Sequence, residues 1–187
     1  MNRKIIAVIL LGMLLYLPGC GGGSASVMRS FVRENTNLGL IQTVAVLPFE
    51  GGGRAPRIRE FTMTQLLAAN VFDVVDKGRV DSILQQEAIA PGAPLDKATI
   101  RRLGQLLNVE AVILGSVEET DESRGNAAFT EVTMTLRLID CETGTLLWQA
   151  SGRGSGYSLT DRLFGLAPKD SFQVTMALLS DLFSTMR

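Results

Sequence analysis

From residue 131 to residue 138 the chain alternates without a break. Val132, Met134, Leu136 and Leu138 fall on one side, and Glu131, Thr133, Thr135 and Arg137 on the other. A period of two belongs to an extended strand with one apolar and one polar face. Residues 140–144 follow with the glycine of a short hairpin turn. Residues 146–150 then return as a partner strand, with Trp148 at its centre. A pair of this kind needs a further layer over its apolar face, which excludes an all-helical chain.

The first half reads differently. Residues 43–49 are a short apolar run rich in β-branched side chains and predict a buried strand, with Pro48 near its end. Residues 51–56 are a loop with three consecutive glycines, and 57–70 predict a helix with Ile58, Phe61 and Leu66 on its apolar face. Residues 71–75 predict a second strand. Asp76-Lys77-Gly78 turns the chain into a helix carrying Val80, Ile83, Leu84 and Ala88 on one face. Residues 91–94 break the pattern, and Asp96 is placed to cap a third helix with Ile100, Leu103 and Leu107 at helical spacing. Asn108 ends it, and 111–117 is apolar on both faces, as a central strand should be. Pro168 and Asp170 open a last helix with the stripe Phe172, Met176, Leu179 and Phe183. Residues 27–40 are weakly patterned, a helix or an arm. Together these elements predict an α/β fold, a mixed β-sheet with helices packed on its faces.

The amino end sets the compartment. Asn2, Arg3 and Lys4 precede an almost unbroken apolar run over 5–17. A membrane-spanning helix needs roughly 20 apolar residues. This run is shorter and fits the apolar region of a signal peptide, about 7–15 residues long. Leu17-Pro18-Gly19-Cys20 resembles a bacterial lipobox, which implies cleavage before Cys20 and diacylglycerol on its thiol. Gly21-Gly22-Gly23-Ser24 is then a flexible tether. More than one acyl chain holds such a terminus firmly, at about 0.8 kcal/mol per buried methylene. By resemblance to sorted lipoproteins, the absence of Asp at position 21 favours the outer membrane, facing the periplasm. The chain thus divides into a signal peptide at 1–19, a lipidated terminus with tether and arm at 20–42, and an α/β domain at 43–187.

Composition removes several chemistries. Formal net charge is −1, which gives no footprint for nucleic acid. No histidine is present, so the commonest general base and metal ligand are missing. With Cys20 lipidated, Cys141 is the remaining thiol, and neither an intramolecular disulfide nor a cysteine-rich zinc site is expected. Gly152-Arg-Gly-Ser-Gly156 lacks the lysine of a P-loop and does not lead straight into a helix, so it reads as a loop that needs flexible backbone. Gly51-Gly-Gly-Arg54 stands before a helix whose amino end is able to hold an anion, although a plain connection explains it as well. Asp76, Asp81 and Glu87 fit a solvated helix face. No cofactor, metal site or enzymatic centre is expected, and the chain reads as a binding or assembly protein.

Four stretches carry a family resemblance: Val44-Ala-Val-Leu-Pro-Phe49, Phe72 to Leu84 (FDVVDKGRVDSIL), Val109 to Val117 (VEAVILGSV) and Leu136 to Trp148 (LRLIDCETGTLLW). In this order, behind a lipobox, they resemble the curli-secretion lipoproteins, a CsgG-like periplasmic domain. They are also similar to the LpoB-type activators of penicillin-binding proteins. The resemblance implies an α/β domain beneath the outer membrane that works without catalysis, by contact with other envelope proteins and, as a homo-oligomer, with copies of itself. Curli-type members add two membrane-crossing hairpins, which would fall at 117–132 and 152–170. Here 118–126 is short, acidic and not alternating, and 157–167 is too short for a hairpin, so no pore of its own is expected. Two functions follow: envelope assembly or secretion by contact, or activation of a peptidoglycan synthase. The second needs reach, and some twenty flexible residues span only about 25 Å. Tyr157, Leu159, Leu163, Phe164 and Leu166 form the candidate partner-binding segment, because apolar side chains cluster there between a glycine-rich stretch and the last helix.

Overall fold

A computed structural model describes residues 27–124, 127–157 and 167–186. In chain order the elements are β1 (Val27–Val32), a short 3₁₀ turn (Leu38–Leu40), β2 (Thr43–Val46), β3 (Glu50–Gly51), α1 (Ala55–Ala68), β4 (Asp73–Val74), α2 (Lys77–Gln86), α3 (Lys97–Leu107), β5 (Ala111–Arg124), β6 (Ala127–Asp140), β7 (Leu146–Ser155) and α4 (Ser171–Ser184). The strands form one sheet in the order β1-β7-β6-β5-β2-β4, with β3 added beside β5. β2 runs parallel to β4 and β5, and β5, β6, β7 and β1 pair antiparallel. The mixed sheet is therefore the one expected. No helix among the described residues is long and apolar enough to cross a membrane.

Two cores sit on the two faces. Val44 and Val46 of β2, Ile113 of β5 and the four apolar residues of β6 pack under α1 and α4. Ala45, Leu47 and Val112 face the other way, under α2 and α3. β2 is thus apolar on both faces because helices cover both, while β6 alternates because α4 covers one. The helix ends are set locally. Asp76, Asp96 and Asp170 each accept amide hydrogens of the first turn, Asp170 within a capping box with Gln173. Asn108 closes α3 in the left-handed region at φ 57°.

Five expectations change. Residues 27–40 are neither helix nor loose arm: β1 pairs with β7 from Val27–Arg153 to Val32–Trp148. Its side chains are mostly exposed, so backbone pairing and not burial makes it a strand. The strand expected at 71–75 shrinks to two residues. The acidic stretch after Val117 continues β5 to Arg124, because every residue finds a partner on β6 and Glu119 turns inward. Of the glycine-rich 152–156, residues 152–155 belong to β7 and Gly156 follows at its end. Gly152, Gly154 and Gly156 share one face, and a Cβ there would stand 2.9 Å from Leu178 Cδ1, 3.0 Å from Val174 Cγ1 and 2.6 Å from the Lys169 carbonyl oxygen. Their role is to admit α4. Finally, the buried stripe of α4 is Val174, Leu178, Leu179, Leu182 and Phe183, whereas Phe172 is exposed and meets Phe61 edge-on, ring centroids 5.0 Å apart.

Candidate interaction site

Of the residues singled out in the sequence, Cys20 and Leu159, Leu163, Phe164 and Leu166 lie outside the described residues. Tyr157 lies within them. It is half-buried, and its ring stacks at a tilt on Phe129, 5.6 Å between centroids. Tyr157 is thus tied to the start of β6 by an apolar contact at the end of β7.

The loop before α1 has its cation engaged. Arg54 bonds the Glu119 carboxylate and stands 3.6 Å from Asp121. Glu119, largely buried, also accepts the Ser171 hydroxyl at 2.6 Å. Glu119, first by its hydrogen bond and then by its charge, raises the Arg54 pKa above its ordinary value. The arrangement fastens the amino ends of α1 and α4 to β5. It leaves Arg54 serving the fold, and an anion arriving at this loop meets two carboxylates.

A cavity of about 810 Å³ opens beside Cys141, and the charged side chains Arg101, Glu110 and Asp140 of its lining are engaged within the fold. Glu110 Oε2 accepts the amides of Gln42 and Thr43. Asp140 accepts the amide and hydroxyl of Thr143, and Arg101 donates to the Glu142 carbonyl. Cys141 is buried against Gly104, where a Cβ would stand 2.5 Å from the cysteine Cβ. Burial pushes its thiol up to about 12, with the charges of Asp140 and Glu110 adding to the effect. Such a thiol stays protonated at neutral pH and is a poor nucleophile. Among the described residues no three His, Cys, Asp or Glu side chains gather as a metal site.

Sequence reasoning missed the remaining feature. At the carboxyl end of β2 the chain passes into α1, and α2 begins after the adjacent β4. Arg59, on the second turn of α1, is 3% exposed. Its Nε donates to the Val46 carbonyl at 3.0 Å, and its Nη1 to Asp81 Oδ1 at 2.6 Å. Lys77 and Glu60 repeat the α1–α2 bridge at 2.6 Å. Asp81 and Glu87, read as a solvated face, therefore each hold a cation, Glu87 bonding Arg102 of α3. The signal for Arg59 was its spacing: it shares a helical face with Ala55, Ile58, Thr62 and Leu66, all buried. Beside it lies a crevice of about 470 Å³, walled by Pro48, Phe49, Pro56, Leu84, Ile89 and Pro91.

Comparison with known proteins places this fold in context. A family model described as the peptidoglycan-synthase activator LpoB matches residues 58–153, from α1 through most of β7. No curated protein sequence matches the chain. Among solved structures, the PelC dodecamer from Paraburkholderia phytofirmans is similar at a TM-score of 0.56 and 17% identity, over 86% of this chain and 96% of that one. The lipoprotein GNA1162 from Neisseria meningitidis is similar at a TM-score of 0.54 and 17% identity, over 78% and 97%. At these identities the two likenesses speak for the fold. The matching family is the LpoB activators and not the curli-secretion lipoproteins, so the CsgG-like and secretion readings of the sequence give way to the alternative named beside them.

Proposed function

The chain belongs to the LpoB family of peptidoglycan-synthase activators, and on that premise we propose that it activates a peptidoglycan synthase by direct contact, as a periplasmic lipoprotein held to the outer membrane at Cys20. The family match over residues 58–153 is the observation that carries this reading. The protein supplies no catalytic group of its own. It acts as a binding partner that shifts the synthase toward an active state, which requires tighter binding to that state.

The anchor adds a geometric demand. With β1 held in the sheet, residues 20–26 are the length left between lipid and domain. At no more than about 3.5 Å per residue they reach roughly 25 Å. The synthase must therefore bring its contacting part close to the outer membrane. The proposal includes self-association of the domain, tested by the native mass in mild detergent: a monomer removes that part.

The test of the main reading is a polymerisation assay. Full-length protein in detergent is added to a purified peptidoglycan synthase from the same cell. A rise in glycan polymerisation that saturates with added protein is expected, and an unchanged rate at saturation overturns the proposal.

A further inference from the structure

We propose that the crevice beside Arg59 is a binding site for an apolar peptide segment whose backbone carbonyl accepts a hydrogen bond from Arg59 Nη2. Three observations converge on it. The first is the unpartnered donor. Nε and Nη1 of Arg59 are engaged, but Nη2 is buried and has no acceptor among the described residues. A buried donor left in this state costs free energy, and each one needs an explanation. Arg59 lines the crevice, and a small turn of its guanidinium toward the opening would bring Nη2 to a carbonyl laid there, which supplies the missing acceptor.

The second observation is the lining. Six apolar residues surround about 470 Å³, room for one or two large side chains. Small apolar clefts with a few polar groups are the usual form of a ligand site. The third is position. In open α/β sheets ligands gather at the carboxyl ends of parallel strands, where successive connections leave in opposite directions. Here β2 has β4 on one side and β5 on the other, α1 leads to the first over one face, and α2 with α3 leads to the second over the other face.

Charge decides the ligand class. Arg59 already faces Asp81, and Lys77 already faces Glu60. The site lacks an acceptor and not an anion. A neutral amide fits this balance, whereas a carboxylate brings a charge beside Asp81 that has no cation left to itself. Naming the peptide as part of the synthase rests on the function proposed above; the site itself does not.

The experiment is a titration of isotopically labelled full-length protein in detergent, followed by nuclear magnetic resonance. The probe is N-acetyl-leucine N-methylamide, compared with N-acetyl-leucine bearing a free carboxylate. Shifts are expected at the Leu84 and Ile89 methyls and at the Arg59 Nε–H, with the amide binding more tightly than the acid. Gln85→Trp changes an exposed residue at the mouth of the crevice. It should weaken amide binding by about tenfold or more, or about 1.4 kcal/mol, with an unchanged melting curve. Absent or scattered shifts, or an acid that binds as well as the amide, overturn the proposal. The polymerisation assay then separates the two readings. Stimulation lost in Gln85→Trp supports the crevice as the synthase contact, and stimulation retained there overturns that assignment while the function stands. If even the unmodified protein fails to stimulate, the function reading falls while amide binding still supports the site.

Discussion

Cys141 turns burial into pH dependence. An unfolded cysteine titrates near 8.5, whereas in the fold this thiol is pushed up to about 12, chiefly by desolvation. Between those values the unfolded chain loses a proton that the folded chain keeps. Stability from this group is complete below about pH 8.5 and falls as pH rises, by up to about 1.4 kcal/mol per unit. Urea unfolding at pH 8 and pH 10 should show a smaller alkaline loss in Cys141→Ala, which keeps the Cβ packed on Gly104; equal losses would dismiss the argument. The same residue level shows what a local pattern reveals. Asp96 and Asp170 act where the sequence put them, because an N-cap carboxylate accepts an amide three residues on, and Asn108 does so because its left-handed backbone turns its own N–H to the Gly104 carbonyl. Arg59 was passed over because its partners, Val46 and Asp81, lie on separate elements.

At the level of elements, α4 separates a spacing argument from a packing one. Phe172 and Leu178 both suit an apolar stripe, but one is 52% exposed and the other 1%. Leu178→Ala removes side-chain contacts over the glycine face of β7 and should cost about 2–5 kcal/mol in chemical unfolding. Phe172→Ala loses the edge contact with Phe61 and should cost under about 1.5 kcal/mol. Similar costs at the two positions would mean that α4 is rotated from the orientation described here. Trp148 adds a polar tie to the same interface, donating from Nε1 to Thr185 Oγ1 at 2.9 Å. The glycines of β7 looked like a loop because flexible backbone and close approach leave the same trace in sequence. What distinguishes them is their alternation at 152, 154 and 156, a strand period.

For the whole molecule the arrangement of layers matters most. Helices cover both faces of the sheet around β2, and α4 packs on one face of β6 and β7. Bridges from α1 to α2 join the helical layers across the end of β2, where the crevice opens. The two cores are covered by the domain's own helices, so under the proposed lipidation of Cys20 the lipid would place the domain and not fold it. Cys20→Ser should therefore move the protein from the membrane fraction to the soluble periplasm, abolish labelling by radioactive palmitate and leave the melting curve unchanged. Membrane retention of that variant would mean that another part of the chain holds the bilayer.

Period-two runs, helical stripes and caps could be read directly from the residues, and they gave the mixed α/β sheet, because each depends on neighbours within one or two turns of chain. Three features needed the assembled fold. β1 became a strand only against β7, with Arg33 donating to the Leu146 carbonyl from 113 residues away. The acidic end of β5 became ordered strand only when Arg54 and Ser171 met Glu119. Arg59 became a buried cation only once α1 and α2 were packed about the end of β2. In each case backbone pairing or charge neutralisation comes from a partner on another element, and local periodicity, even where it marks a buried face as at Arg59, does not name that partner.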